Sequence, residues 1–309
     1  MVMVCALLIA PARPATKPDQ NSNQQPKTGK YTLRVNAEEV VLNCTVLDHH
    51  GQLVDGLDAG NFKVWDDKVS QKLISVQQTD SPVSIGLLVD NSGSMRSKRA
   101  AVTEAALDLV KASNPEDQTF VVNFSDQAYL DQDFTADLGR LRSSLSHPSM
   151  MGGTAIYDTV ITASKKLEQS AERPRKVLVI ITDGQDNASR SSLNDAIHQV
   201  QNLQGPVIYS VGLLFEAESG DSVRRARHDL QALSNETGGI AFFPGSTGDI
   251  DAVAAEVARA IRKQYTLAYR AQATAERWHS VRVEASARGG ARLVVHTRPG
   301  YFESAGTKR

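Results

Sequence analysis

The sequence predicts an α/β protein: a doubly wound, mostly parallel sheet inserted into a small β-sandwich that is formed by the N- and C-terminal strands. Three observations lead there. Two runs dominated by apolar residues, Val83–Val89 and Lys176–Ile181, read as strands buried on both faces by helices. Strand and helix patterns alternate through the middle of the chain, as doubly wound sheets require. Short segments of alternating polarity bracket that middle region, too few at either end to close a core alone.

The elements follow in order. Val2 to Ala10 is a short apolar run ending in Ala10-Pro11-Ala12, a small-x-small arrangement like a signal-peptidase site. Residues 1–12 are therefore expected to be a signal peptide, although no Lys or Arg precedes the run, which is shorter than the roughly 20 residues of a bilayer span. Residues 13–30, rich in Pro, Asn, Gln and Lys, bury too little apolar surface to offset ordering entropy and read as a flexible linker. Residues 31–80 hold alternating segments at Tyr31–Val35, Glu39–Leu47, Asn61–Trp65 and Lys72–Val76, separated by turn signals. They are expected to be the first part of the sandwich.

The α/β part is expected over 81–265. Its strands are predicted at Val83–Asp90, Thr119–Phe124, Lys176–Asp183, Pro206–Leu213 and Ile240–Phe243. Apolar residues at three and four spacing predict helices at Ser97–Ser113, Thr154–Ser170, Leu193–Leu203, Ser222–Thr237 and Ile250–Lys263. The second part of the sandwich is expected over 266–303, from alternation in Gln264–Arg270, Ser280–Ala285 and Ala291–His296, with a turn at Gly289-Gly290. Residues 304–309 read as a tail.

Composition removes several function classes. With 34 basic and 35 acidic residues the chain offers no broad basic field, so nucleic acid is not an expected partner. Arg173–Lys176 and Arg224–Arg227 are the densest basic clusters, expected on solvated faces. Cys5 and Cys44 give neither a disulfide framework nor C-x-x-C spacing. The seven histidines show no ligand spacing, and no G-x-x-x-x-G-K-[ST], G-x-S-x-G or H-E-x-x-H occurs. No segment of the mature chain is long and apolar enough to span a bilayer.

The residues that carry chemistry lie on three loops. Asp90-Asn91-Ser92-Gly93-Ser94 closes the first apolar run; Gly152-Gly153-Thr154 precedes a helical pattern; Thr182-Asp183-Gly184 closes the second run. In an open parallel sheet ligands gather outside the carboxyl ends of the strands, where strand order reverses, so Asp90, Ser92, Ser94, Thr154 and Asp183 are expected to meet. Hydroxyls and carboxylates are hard ligands suited to Mg²⁺, Mn²⁺ or Ca²⁺. The bland alternative is a turn in which Asp90 and Ser92 cap the next helix. Asp186 and Asn187 read equally as added negative potential or as turn residues.

The segment from about Ser81 to about Tyr265 resembles a von Willebrand factor type A domain, and these five residues match its metal-ion-dependent adhesion site (MIDAS) one for one. That resemblance implies a Rossmann-like fold, with Ala128–Leu130 as an added antiparallel edge strand. It also implies an ion with one coordination position open to an acidic group of a partner. The whole arrangement, with its closing Arg298-Pro299-Gly300-Tyr301, is similar to bacterial von Willebrand factor A-related domain proteins.

The function expected is therefore a divalent-metal-dependent, adhesion-type binding module rather than an enzyme. It would be secreted, periplasmic or attached to the cell envelope and would grip an Asp or Glu carboxylate of a protein partner. Rim loops at Met95-Arg96, Pro148–Met151 and Gln185–Arg190 are expected to supply selectivity. The alternatives are a metal-dependent hydrolase on the same fold, and a scaffold whose β-sandwich binds the partner.

Overall fold

The computed structural model describes residues 37–146, 152–203, 205–216, 220–272, 278–287 and 289–302. The expected signal peptide, the linker, the Tyr31–Val35 segment, the tail and the stretch from His147 to Met151 lie outside the described residues.

Four strands come first: β1 (Ala37–Leu47), β2 (Phe62–Asp66), β3 (Val69–Gln71) and β4 (Leu73–Gln77). The α/β region follows as β5 (Val83–Asp90), α1 (Arg99–Lys111), β6 (Gln118–Phe124), β7 (Ala128–Thr135), α2 (Leu138–Leu145), α3 (Ile156–Ser170), β8 (Arg175–Thr182), α4 (Leu193–Asn202), β9 (Val207–Gly212), α5 (Asp221–Asn235), β10 (Ala241–Phe242) and α6 (Ile250–Arg262). The closing strands are β11 (Tyr265–Gln272), β12 (Trp278–Ser286), β13 (Arg292–His296) and β14 (Gly300–Phe302).

The central sheet has the order β10-β9-β8-β5-β6-β7. All pairs are parallel except β6 with β7, the expected antiparallel edge, which is longer than Ala128–Leu130. Every residue of β5 is buried, and side-chain alternation divides the sheet between two cores. Leu87, Val89, Val179 and Ile181 pack with α1, α2 and α6. Leu88, Phe120, Leu178 and Ile180 pack with α3, α4 and α5. Each such side chain contributes about 1.5 to 3 kcal/mol by burial, so the strand ends that carry the predicted ligands rest on a rigid base. The chain enters at β5, builds outward through β6 and β7, and returns to β8 on the other side of β5. Strand order therefore reverses beside β5.

The terminal strands interleave in one antiparallel sheet, ordered β3-β2-β12-β13-β1-β11-β4, with β14 also on β12. Hydrogen bonding follows a single path through these strands. The long β1 makes this possible, pairing with β11 over Ala37–Cys44 and with β13 over Thr45–Leu47. Its inward residues Val40, Leu42, Cys44 and Val46 join Phe62, Tyr265, Leu267 and Tyr269 in a third core. Cys44 is wholly buried there, and burial pushes its thiol up to about 12, as expected of an inert structural cysteine.

The helix α2 has no counterpart among the predicted elements. Only Leu138, Leu141 and Leu145 of its eight residues are apolar, a pattern too short to stand out. The Asp137 side chain accepts from the Gly139 and Arg140 N–H groups to cap it. Arg175, expected on a solvated face, is instead buried: its guanidinium donates to the Ile261 carbonyl and, at 2.6 Å, to Gln264 Oε1, between α6 and β11. Among the described residues no helix is long and apolar enough to cross a membrane.

Candidate metal centre

Asp90 ends β5 with none of its surface exposed. The turn after it folds back on its carboxylate: the Ser92 N–H donates to Oδ1 at 2.8 Å and the Thr182 hydroxyl to Oδ2 at 2.6 Å. The parallel register, Val89 opposite Ile181, brings Thr182 beside Asp90. Burial pushes the Asp90 carboxyl above its ordinary value; the Thr182 and Ser92 hydrogen bonds oppose this, and the nearby Asp183 charge adds to it. Asn91 continues the strand by donating its N–H to the Phe124 carbonyl at 2.7 Å. A short 3₁₀ turn, Gly93–Ser97, then leads into α1, anchored by the buried Met95.

That turn presents Ser92 and Ser94 together, hydroxyl to hydroxyl at 3.1 Å. The Ser94 hydroxyl donates to Asp183 Oδ1 at 2.8 Å, across 89 positions of sequence. Asp183 Oδ2 accepts from the Lys98 ammonium at 3.0 Å, in a pair whose side chains are 6% and 4% exposed.

Thr154 lies on the same recess as Ser92 and Ser94, a space of about 520 Å³. A Cβ on Gly184 would stand 3.5 Å from the Thr154 hydroxyl oxygen, which sets that hydroxyl against the loop carrying Asp183. Thr154 does not begin the following helix as expected, because α3 starts at Ile156. Its backbone is instead clipped by Asn187, whose Oδ1 accepts the Thr154 N–H at 2.8 Å and whose N–H donates to the Thr154 carbonyl at 3.0 Å. The preceding glycines permit this approach. Gly152 has φ +139°, and a Cβ there would strike the Asp126 carboxylate, which accepts the Gly153 N–H, while a Cβ on Gly153 would strike Asn187 Oδ1.

Ser92, Ser94 and Thr154 thus share one recess, Asp183 is bonded to Ser94, and Asp90 lies against the Ser92 backbone. Asp186 proves to be a turn residue: its Oδ2 accepts from the Tyr157 N–H at 2.9 Å and the Ser189 hydroxyl at 2.6 Å, satisfying the first turn of α3. On the rim Arg96 is exposed while Met95 is not, so Met95 supports the loop from beneath and does not face a partner. Gln185, also on the recess, accepts from Arg225 Nε at 3.2 Å. Pro148–Met151 falls outside the described residues. Sequence reasoning missed Lys98 and the roles of Thr182 and Asn187; only the pairing of β5 with β8 would have pointed to that of Thr182.

A second cluster lies in the antiparallel sheet, where side-chain atoms of Asp66, Asp67 and His279 lie within 4.8 Å of one another. His279 Nδ1 is 3.0 Å from Asp67 Oδ2 and 3.3 Å from Asp66 Oδ1. Asp66 Oδ2 accepts from the Tyr269 and Tyr301 hydroxyls, each at 2.8 Å, and Asp67 Oδ1 accepts from Ser280 N–H and hydroxyl at 2.8 and 3.0 Å. The network ties β2, β11, β12 and β14 together.

Comparison with known proteins agrees with the fold of the α/β region. No curated protein sequence matches the chain. A von Willebrand factor type A protein from Catenulispora acidiphila is similar over 88% of this chain and 76% of its own, with 13% identity and a TM-score of 0.51. Proximal thread matrix protein 1 from the mussel byssus is 19% identical over 62% of this chain, with a TM-score of 0.48; the match spans about half (48%) of that protein's length. A further structure of the mussel protein, described as having a zinc-occupied MIDAS motif, has 20% identity and a TM-score of 0.49 over 64% of this chain and 50% of its own. Residues 85–185, the span from inside β5 to just past Asp183, match the von Willebrand factor type A domain family. The chain carries a von Willebrand factor type A domain.

Proposed function

We propose that this chain is a divalent-metal-dependent protein-binding module of the adhesion type. Asp90, Ser92, Ser94, Thr154 and Asp183 hold Mg²⁺, Mn²⁺ or Ca²⁺, and the ion takes an Asp or Glu carboxylate of a protein partner. The observation that carries the reading is the Ser94–Asp183 hydrogen bond of 2.8 Å between two strand-end loops, with Ser92 and Thr154 on the same recess. The donor set fits such an ion, since every group is a hard oxygen and no thiol or imidazole is among them. When bound, the ion supplies a positive centre for an external carboxylate. The chain supplies the rest. Asp90 braces the serine loop from beneath, Asn187 fixes Thr154, and Arg96 and Arg225 lend the rim a positive field.

A nucleophilic role for Asp90, which a hydrolase on this fold would call for, is disfavoured because the carboxylate is fully buried with both oxygens engaged. In the same reading residues 81–265 are a binding domain inserted into the β unit of 31–80 and 266–303, and export places the chain outside the cell or in its envelope. Calorimetric titration of Mn²⁺ into wild type, Asp183→Ala and Ser94→Ala tests the site; equal affinity in all three rejects it. Capture of envelope proteins in Mg²⁺ and in EDTA tests the grip, and a partner retained equally in EDTA rejects it.

A further inference from the structure

Asp183 directs its two oxygens to different partners. Oδ1 takes the Ser94 hydroxyl, on the side of the other oxygen donors, and Oδ2 takes the Lys98 ammonium. The ion pair is almost entirely shielded from water, so solvent and salt screen it little. Lys98 is held in place as the residue before α1, its N–H donating to the Met95 carbonyl and its own carbonyl accepting from Val102. The ammonium also stands 5.8 Å from the centre of the Phe215 ring. A cation is thus built into the donor set itself.

Charge counting gives the consequence. Asp183 is paired with Lys98, and Asp90 feels the charge of Arg99, so Lys98 offsets one of the two carboxylate charges that an ion would meet. With the lysine in place a divalent ion is compensated by one unit charge less than it would be without it. We propose that Lys98 is an internal counter-cation that lowers the affinity of the site for the ion alone and makes ion and external carboxylate bind as a cooperative pair. This rests on the reading of the five-residue cluster as a divalent-ion site. The arriving carboxylate cancels the charge that Lys98 leaves uncompensated, so each ligand strengthens the other by the same factor. By the same reciprocity the ion loosens the Lys98–Asp183 pair.

The bland reading of this pair is a staple between α1 and the loop after β8. A staple predicts lost stability on substitution and no gain in ion affinity, which separates the two. Mn²⁺ binding to the full chain is measured by the loss of the free-ion electron paramagnetic resonance signal, with and without acetate as the carboxylate probe. Lys98→Gln is expected to bind Mn²⁺ alone about tenfold or more tightly than wild type, one unit charge removed at close range. Acetate is expected to tighten Mn²⁺ binding to wild type about tenfold and to Lys98→Gln about twofold or less. Wild-type Mn²⁺ affinity and acetate coupling in a folded Lys98→Gln chain overturn the inference.

Should that variant fail to fold, ¹⁵N NMR of the wild-type Lys98 ammonium serves instead. Its proton exchange is expected to quicken on saturation with Mg²⁺, and unchanged exchange in a chain that binds Mg²⁺ overturns the inference. The two failures are distinguishable. If wild type and Asp183→Ala bind Mn²⁺ equally, or neither binds, the ion-site reading falls and takes the role of Lys98 with it. If binding is lost in Asp183→Ala while Lys98→Gln matches wild type, only the role of Lys98 falls.

Discussion

The Thr182 hydroxyl donates to Asp90 Oδ2 at 2.6 Å, at the ends of two adjacent parallel strands. With Asp90 Oδ1 already held by the Ser92 N–H, the carboxylate faces inward as the brace of the serine loop. Ser92, Ser94 and Thr154 line the recess, and Asp183 meets them through the Ser94 hydroxyl. The arrangement assigns different work to the two aspartates: Asp90 shapes the loop, and Asp183 connects it to β8 and to Lys98.

Replacing Thr182 with Val, which keeps the shape and removes the hydroxyl, leaves a buried carboxylate oxygen without its donor. A loss of about 1 to 3 kcal/mol in stability is expected, together with weaker Mn²⁺ binding as the serine loop loosens. The Thr182 hydrogen bond holds the Asp90 carboxyl down against burial, so its removal also raises that carboxyl further. Urea denaturation and Mn²⁺ titration check this. A variant as stable as wild type would show that Asp90 has no need of the brace.

Tyr269 and Tyr301 donate to the same oxygen of Asp66 at 2.8 Å each, joining the first β segment to the last. Tyr301→Phe is expected to cost about 1.5 to 3 kcal/mol, the range for a hydrogen bond to a charged acceptor. Because the two donors share one acceptor, the Tyr269→Phe, Tyr301→Phe double variant should depart from additivity. A double-mutant cycle by urea denaturation that closes additively would show that the two hydroxyls act independently.

The proposed oxygen donors could be picked out in the sequence because Asp90, Ser92 and Ser94 follow one apolar run, Asp183 follows a second, and Thr154 lies on a Gly-Gly loop before a helical pattern, and parallel sheets place such loops on one rim. The alternation of strands and helices in 81–265 was readable for the same reason, since burial on both faces writes itself as unbroken apolar runs. The roles of Thr182, Lys98 and Asn187 were not. They depend on which strands are neighbours and where α1 begins, and no local pattern states either. The strand order of the antiparallel sheet was likewise hidden. It depends on the long-range choice of β11 and β13 as partners of β1, and three-residue strands such as β3 and β14 leave no periodicity to count.

His296, at the end of β13 opposite Thr45, has its pKa pushed down by burial. The sign follows from linkage. The folded protein resists protonating this imidazole, while the unfolded chain takes the proton below its ordinary value of about 6.5. The stability it contributes is therefore fully present above that pH and is lost as the pH falls towards the folded value. Urea midpoints at pH 7.5 and 5.5 are expected to fall less in His296→Gln than in wild type. An equal fall in both would locate the acid sensitivity elsewhere.

Gly300 permits a close approach that no other residue would. A Cβ there would strike the His279 carbonyl oxygen and come 2.7 Å from the Trp278 ring atom Cε2, while the register pairs Gly300 with Ser280. The obstacle is steric and lies partly in backbone, so it is not relieved by rotating a side chain. Gly300→Ala is expected to push β14 away from β12. That would separate the stacked His279 and Tyr301 rings, now 4.8 Å apart, and the edge contact of Trp278 with Phe302 at 4.7 Å, at a cost of about 1 to 3 kcal/mol for overpacking. Trp278 is one of two tryptophans in the chain, so its fluorescence in a Trp65→Phe background reports the change directly. Unaltered emission and an unaltered melting temperature would show that the edge strand gives way at no cost. Because β14 belongs to the antiparallel sheet and the oxygen cluster lies at the ends of β5 and β8, Mn²⁺ affinity should survive this substitution. A chain that lost both together would reveal that the antiparallel sheet and the ion site are coupled through the structure.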